Sequence, residues 1–156
     1  MILGHLAISA LLHRYAKAEW TPVMAAAVFP DAVDKTLCQL LHLTPTGRMW
    51  GHTLLSLAIS TALVGHTWGR RAARSWALGY LSHLAADIEG DVPWLYPFGD
   101  LDLTTPSPGV WEIMQMKLTD PVGIGIELAL IAWAAHSLRH ALKARAVAEG
   151  ADLRRC

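Results

Sequence analysis

The feature that most limits how this chain can fold is a run without a single charged side chain, from Met49 to Gly69. As an α-helix these 21 residues would be about 30 Å long, which is the thickness of the hydrocarbon core of a bilayer. The rest of the chain is also apolar, since 53% of its 156 residues are hydrophobic and only 17% are charged. We therefore expect a membrane-associated protein.

Helix formers and apolar runs dominate the sequence, and the alternation typical of strands is nearly absent. The predicted fold is all-α, a compact bundle of about five to six helices, several of them apolar enough to be membrane-embedded. A single domain is expected over residues 1–156, with an irregular active-site or lid loop at about 89–119 and a basic tail at about 143–156. Predicted helices cover about 3–18, 22–29, 34–43, 49–69, 72–88 and the residues from Pro121 onward.

The charges suggest an orientation but no nucleic-acid partner. Thirteen basic and thirteen acidic residues cancel, so no overall field attracts nucleic acid. If the helices alternate in direction, three basic clusters share one end, which the positive-inside tendency would make the cytoplasmic side of an inner or plasma membrane. A solvated basic end of a soluble bundle, or helices only partly inserted, are the alternatives. The clusters are Arg14 and Lys17; Arg70, Arg71 and Arg74; and Arg139, Lys143 and Arg145.

Six histidine and aspartate side chains fall at the opposite ends of these predicted helices and should converge there. The condition is that the short third helix, or its loop, returns the chain to that end. Two spacings suit a metal: one helix face carries an i, i+4 pair, and two carboxylates in a turn can aim at one point. Imidazole and carboxylate ligands suit Zn²⁺, Mn²⁺ or Fe²⁺, and their number suggests two ions. The six are His5, Asp31, Asp34, His52, His83 and Asp87.

Each of these residues also has a simpler structural interpretation, as a hydrogen-bonded core histidine or a capping carboxylate. Several ionisable groups in almost charge-free segments favour the metal, because a buried carboxylate is costly unless paired or metal-bound. Arg48 either holds an anionic substrate oxygen or pairs with Asp31 or Asp34. Glu127, in the apolar last helix, is a further candidate. Residues 91–98 are expected to form a lid, an interfacial anchor or a packed loop.

Four motifs at these positions resemble a known family, the small membrane-bound metal-dependent hydrolases of the inner membrane. In that family an early His, a PDxxD turn, an R-x-x-x-H-[ST]-L helix start and a G-x-x-S-H-x-x-x-D helix follow in this order. The likeness covers about residues 1–100, and Thr53 stands where Ser is more usual. The motifs here are GHLAIS, FPDAVDK, GRMWGHTLLS, and GYLSHLAAD followed by WLYPFGD.

The resemblance implies that the same six residues are metal ligands, and Arg48 comes with the third motif. The family is distantly similar to zinc-dependent phospholipase C, an all-helical fold that holds several zinc ions. The expected activity is hydrolysis of a phosphoester or lipid-like substrate, with membrane lipid or a small molecule as partner. Two divalent ions are expected, with zinc as the first candidate and manganese or iron as the others. Asp34 or Asp87 would act as general base, and Arg48 would stabilise negative charge. The alternatives are a non-catalytic membrane protein with a structural metal and a transporter or channel component.

Overall fold

The computed structural model describes residues 3–87, 92–99 and 108–152, with side chains except at residue 110 and from residue 145 onward. These residues form five α-helices and no β-strand, which confirms the all-α prediction. The predicted loop 89–119 and basic tail 143–156 lie partly outside the described residues; within the loop, a turn and a helix are seen. The helices are α1 (Gly4–Ala16), α2 (Trp20–Lys35), α3 (Leu54–Ala86), α4 (Val110–Leu118) and α5 (Pro121–Asp152).

The second helix is longer than its sequence suggested. The predicted stop at Pro30 is wrong, because α2 continues through this residue to Lys35 and ends in a π-helical turn, Thr36–Leu40. Pro30 removes one helical hydrogen bond, but it is fully buried, with its backbone against Gly51 of the segment before α3, and this tertiary contact outweighs the loss. The predicted third helix over 34–43 is thereby reduced to the end of α2 and this turn.

The third helix is bent back on itself at Gly69, whose φ of 87° and ψ of 174° are not helical. The indole Nε1 of Trp76 donates to Ser60 Oγ at 3.0 Å, and the Tyr80 hydroxyl lies 3.0 Å from Ser56 Oγ. A continuous helix would hold these partners about 24 and 36 Å apart. Residues 54–68 and 70–86 are therefore two antiparallel arms, as the two separate predicted helices require.

The uncharged run from Met49 is only partly helical. Helix α3 begins at Leu54, with Thr53 as its N-cap, so the first arm is about 22 Å long and shorter than the predicted helix over 49–69. The backbone N–H groups of Met49, Gly51 and His52 donate to a buried carboxylate on α2 instead. A tertiary interaction thus keeps this segment out of the helix.

Helices α2 and α3 form the main core. Gly79 lies so close to α2 that a Cβ added there would approach the carbonyl oxygen of Val23 to less than 3.0 Å. Large side chains from α3 fill the rest of the contact, and Phe29 packs against them from α2. This close contact fixes the middle of the second arm of α3 against the first turns of α2.

Helices α1 and α5 lie side by side and run in the same direction. At the start of α1 the N–H groups of Leu3 and Gly4 donate to Oε1 of Glu127, and near its end the Tyr15 hydroxyl lies 3.0 Å from Ser137 Oγ. Buried small and apolar residues fill the space between the two helices. They are Ala7, Ala10, Leu11 and Ala134.

The basic clusters share the end of the bundle where α1 finishes. The Glu19 N–H donates to Ser75 Oγ at 2.7 Å, which joins the connection between α1 and α2 to the start of the second arm of α3. The contact of Tyr15 with Ser137 brings the late turns of α5 to the same level. The residues at this end are Arg14, Lys17, Arg70, Arg71, Arg74, Arg139 and Lys143.

One helix in the described part of the chain is long and apolar enough to cross a membrane by length and composition, the segment Pro121–Ala144 of α5. Most of this segment is not covered by the rest of the chain. Several such helices were expected, but the first arm of α3 and helices α1 and α2 are too short to cross the hydrocarbon core alone.

Candidate metal centre

Two histidine side chains, His52 and His83, point their Nε2 atoms at each other at the end of the bundle away from the basic clusters. The Nδ1 atom of His52 lies 2.8 Å from Asp34 Oδ2, and the Nδ1 atom of His83 lies 2.7 Å from the carbonyl oxygen of Ala27. Both partners can only accept, so each Nδ1 carries the hydrogen and each neutral ring has a lone pair at Nε2. The two Nε2 atoms are 3.2 Å apart. Two lone pairs at this distance are favourable only with a cation between them.

The carboxylates of Asp31 and Asp87 lie beside these nitrogens. Asp31 Oδ1 is 3.7 Å and Asp87 Oδ2 is 3.9 Å from Nε2 of His52. Asp31, His52, His83 and Asp87 form a group that could hold a metal ion, because one ligand atom from each lies within 4.8 Å of all the others. Two nitrogens bound to a tetrahedral zinc ion are about 3.3 Å apart, close to the spacing of the two rings.

The side chain of His5 lies next to this group but outside it. Its ring stacks on His83 with centroids 4.1 Å apart, and its Nε2 is 3.4 Å from Asp87 Oδ1. The side chain is 4% exposed, and neither ring nitrogen has a hydrogen-bond partner among the residues that the structure describes. The start of α1 is held by Glu127, which was a candidate for contact with the metal and instead accepts from two backbone N–H groups just before His5.

The structure gives Asp34 a different place from the one that the sequence suggested. Asp31 and Asp34 were expected in a turn, aimed at one point, but they lie on α2 and face different partners. Asp34 is fully buried, and it accepts hydrogen bonds from the N–H groups of Met49, Gly51 and His52 as well as from Nδ1 of His52. The carboxylate therefore orients His52 from behind, as groups that support metal ligands do.

Arg48 lies at the edge of the group. The sequence placed it at a helix start, either to hold an anionic substrate oxygen or to pair with Asp31 or Asp34, but it lies before α3 in a non-helical segment. Its guanidinium nitrogen Nη2 is 2.9 Å from Asp87 Oδ2. Its side chain is 33% exposed, and that of Asp31 is 21% exposed. The group is thus open to its surroundings on this side and closed on the side of Asp34.

The protein environment favours charged carboxylates and a neutral ring. Burial lowers the pKa of His83 to about 4, and the nearby His5 acts in the same direction. Burial by itself would raise the pKa of Asp87, but contact with His5 and the charge of Arg48 outweigh it and hold that pKa well below its usual range. Negative oxygens and uncharged nitrogens are the ligand forms that a divalent cation requires.

The lowered pKa of Asp31 has a similar explanation. Burial would raise the pKa of this carboxyl, but the Lys35 ammonium, 2.6 Å from Oδ2, lowers it by hydrogen bonding and by charge. The pair lies at the exposed edge of the group, i and i+4 on α2. Asp31 is therefore ionised at neutral pH even without a metal.

Three further residues build the site, and the sequence analysis did not single them out. The carbonyl of Ala27 fixes His83, and the buried hydroxyl of Tyr80 donates to the carbonyl of Gly51, beside His52. A Cβ at Gly51 would lie within 3.0 Å of the backbone of Pro30. A Gly one residue before a histidine, and a Tyr three residues before another, were the signals available.

The fold and the site define the class of protein. It is all-α, it has a buried His/Asp group able to hold a metal ion, and one helix of its described part could cross a membrane. A family model described as YdjM inner membrane protein matches residues 1–148, and the chain belongs to this family. No curated protein and no solved structure is similar enough to count as a match. The expected membrane association is confirmed, while the likeness to hydrolases stays a prediction.

Proposed function

We propose that this protein is a metal-dependent hydrolase of the inner membrane. The observation that carries the proposal is the pair of Nε2 atoms of His52 and His83, 3.2 Å apart, with both Nδ1 hydrogens engaged elsewhere. Carboxylate oxygens of Asp31 and Asp87 complete a four-ligand set of the kind that binds zinc, manganese or iron. We name zinc as the first candidate, because it takes nitrogen and oxygen ligands in tetrahedral sites.

Two ions fit the arrangement better than one. Asp87 directs Oδ2 towards His52 and Arg48, and it directs Oδ1 towards His5. A carboxylate with one oxygen on each side can bridge two cations, as in two-metal hydrolases. His5 would supply a buried nitrogen for the second position, since its Nε2 lies 3.4 Å from Asp87 Oδ1.

Each side chain of the site would have a separate role in hydrolysis. Bound ions would lower the pKa of a water molecule and so supply a nucleophile near neutral pH. Arg48 would hold an anionic oxygen of the substrate, since its side chain is a third exposed and its guanidinium borders the group. Of the two carboxylates predicted as general base, Asp34 already accepts four hydrogen bonds. Asp87 lies beside the proposed ligand nitrogens, and it could act as the base only with one of its oxygens released from the ions.

The charges at the two ends of the bundle support a class of substrate and an orientation of the protein in the membrane. The open side of the group is lined by Arg48 and Lys35, which suits a phosphoester more than a neutral carbonyl compound. The basic clusters lie at the other end, so the positive-inside tendency would make that end cytoplasmic. A metal that only ties the helix ends together is the competing function, and the exposure of Asp31 and Arg48 favours the enzyme, since structural sites are closed.

Phosphate release from a panel of phosphoesters tests the proposal, with zinc-loaded protein in mild detergent. We expect activity in the wild type, loss of it in His83→Ala, and a decrease of about 100- to 1000-fold in kcat for Arg48→Ala. His140→Ala is the matched control, because this exposed histidine lies at the basic end, away from the group. Full metal content without hydrolysis of any phosphoester would instead support the structural metal.

A further inference from the structure

An exposed, uncharged face of α3 begins directly after the metal group. Thr53 follows His52 and caps the helix, and from there the first arm carries apolar side chains along one exposed side. The face ends at Leu63, about 14 Å from its start. Its members are Leu54, Leu55, Ala58, Ile59, Ala62 and Leu63.

The direction of this face matches that of the candidate membrane helix. The first arm of α3 runs from the metal group to the turn at Gly69, among the basic residues. Helices α1 and α5 also run from the end of the bundle that holds the metal group to the basic end. The exposed faces of α5 and of this arm are therefore nearly parallel. With α5 across the membrane, as its length and composition allow, both faces would run along the membrane normal.

The end of the bundle that holds the metal group is also apolar on its surface. Large side chains in the connection before α3 and in the turn after it are exposed, and Trp50 and Tyr96 pack edge to face at 5.0 Å. The backbone N–H of Leu54 donates to the carbonyl of Trp94 at 2.9 Å, so these two segments are joined beside the site. Trp and Tyr side chains are typical of the membrane interface, and exposed leucines beside them would reach into the apolar layer. The exposed ones are Leu40, Leu41, Leu43, Trp50, Leu95 and Phe98.

We propose that the site takes a membrane phospholipid as its substrate, from the leaflet at the end opposite the basic clusters. This rests on the proposed function. The face from Leu54 to Leu63 is about as long as one leaflet's hydrocarbon layer is thick, roughly half of 30 Å. Acyl chains that lie along it would bring the lipid phosphate to the level of His52, next to Arg48. A water-soluble phosphoester would gain nothing from this face.

The reaction is ordinary hydrolysis. The oxygen of a water molecule forms a bond to phosphorus, the bond from phosphorus to the ester oxygen breaks, and the departing alcohol takes up a proton from that water. From phosphatidic acid the products are diacylglycerol and inorganic phosphate. No oxidant, reductant or second substrate is required.

Kinetics on two probes separate this inference from the proposed function. The full chain is reconstituted in phosphatidylcholine vesicles with dioleoyl phosphatidic acid, and 4-nitrophenyl phosphate is the soluble probe. Ile59→Gln and Leu63→Gln should each lower the rate on the lipid about tenfold or more, because they weaken apolar contact with the chains, and leave the rate on the soluble probe unchanged. The control is Leu81→Gln, an equal change at an exposed leucine of the second arm, which should alter neither rate.

Hydrolysis of the soluble probe but not of the lipid, or equal losses on both probes in the Ile59 and Leu63 variants, would overturn the lipid inference and leave the hydrolase intact. Inactivity on both probes, with metal bound, would overturn the proposed function itself. A second measurement then decides about the face independently of activity.

That measurement uses a nitroxide attached at Ile59→Cys, with Cys38 and Cys156 replaced by Ser, in lipid nanodiscs. The inference predicts collision with oxygen and protection from a water-soluble nickel chelate, which is the pattern of a lipid-facing side chain. Access to the nickel chelate would mean that the face lies in water. Protection from both reagents would mean that protein covers it, as in a dimer. Either result overturns the assignment of this face to lipid.

Discussion

Replacement of Asp34 by Asn tests whether this residue orients the proposed ligand His52 or is itself a metal ligand. The carboxylate accepts four hydrogen bonds, three from backbone N–H groups of Met49, Gly51 and His52 and one from Nδ1 of His52. An amide keeps one accepting oxygen and turns an NH₂ group towards the remaining donors. A lost bond to a charged acceptor costs about 1.5–3 kcal/mol, and a buried donor left without a partner costs about 1–3 kcal/mol more. We expect the free energy of unfolding to fall by about 3–5 kcal/mol.

The same change should weaken the metal without removing its site. His52 loses its charged partner, and loss of such a partner typically lowers metal affinity about 10- to 100-fold, with the stoichiometry at saturating metal unchanged. Asp31→Asn is the matched comparison. It removes a ligand oxygen, but its ion pair with Lys35 is partly exposed and stabilises the fold by less than about 1 kcal/mol. We expect Asp31→Asn to lower metal content while the metal-free protein unfolds nearly as the wild type does.

The assays are denaturant unfolding in mild detergent with a chelator, and zinc titration against a competing indicator. The reasoning is refuted if Asp34→Asn leaves the unfolding midpoint unchanged and abolishes metal binding even at saturation. Asp34 would then be a direct ligand, as the sequence suggested.

Three further predictions concern the fold around the site. Gly79→Ala should lower the free energy of unfolding by about 1–3 kcal/mol, because the new Cβ would meet the Val23 carbonyl; an unchanged denaturant midpoint would contradict this close contact. Without metal, the pKa of His83 is about 4 in the folded protein and about 6.5 in the unfolded chain. The free energy of unfolding should therefore be at its full value above pH 6.5 and fall by up to about 3 kcal/mol as the pH falls to 4. Unfolding curves that show no such loss across this range would argue against a buried neutral ring. Glu127→Gln should cost about 0.5–2 kcal/mol and speed amide exchange at Gly4, since a charge at the start of α1 is lost; unchanged exchange there would exclude that role.

The convergence of the polar residues was predictable because it follows from where they fall in the chain. His5 lies at the start of one helix, Asp31 near the end of the next, and His83 and Asp87 at the end of α3. Antiparallel packing of successive helices brings such positions to one end whatever the side chains between them. The spacing of His83 and Asp87, i and i+4, likewise fixed their common face.

The different environments of Asp31 and Asp34 could not be predicted. Both belong to one PDxxD segment, and on a helix they point to neighbouring sides. What separates them is the path of residues 49–53, which approach α2 so closely that Gly51 has no room for a Cβ. That path depends on hydrogen bonds between residues 15 to 18 positions apart, and no local pattern records them.

The misplaced start of α3 has the same origin. Composition predicted one continuous apolar helix over residues 49–69. The first residues of this segment instead donate backbone hydrogen bonds to Asp34, and the helix begins only after Thr53. Pro30 is the opposite case, since a strong local signal to end a helix is overridden where this residue is buried against the segment at Gly51. Local propensity was a poor guide wherever a buried tertiary contact competed with it.

The most direct test of the metal centre is elemental analysis of the detergent-purified protein after supplementation with zinc, manganese and iron. The account predicts about two equivalents of one of these metals in the wild type and in the His140→Ala control, about one in His5→Ala, and little or none in His52→Ala and His83→Ala. A wild type that binds no more metal than His52→Ala and His83→Ala would contradict it. The facing histidines would then share a proton, and the site would be a buried polar network.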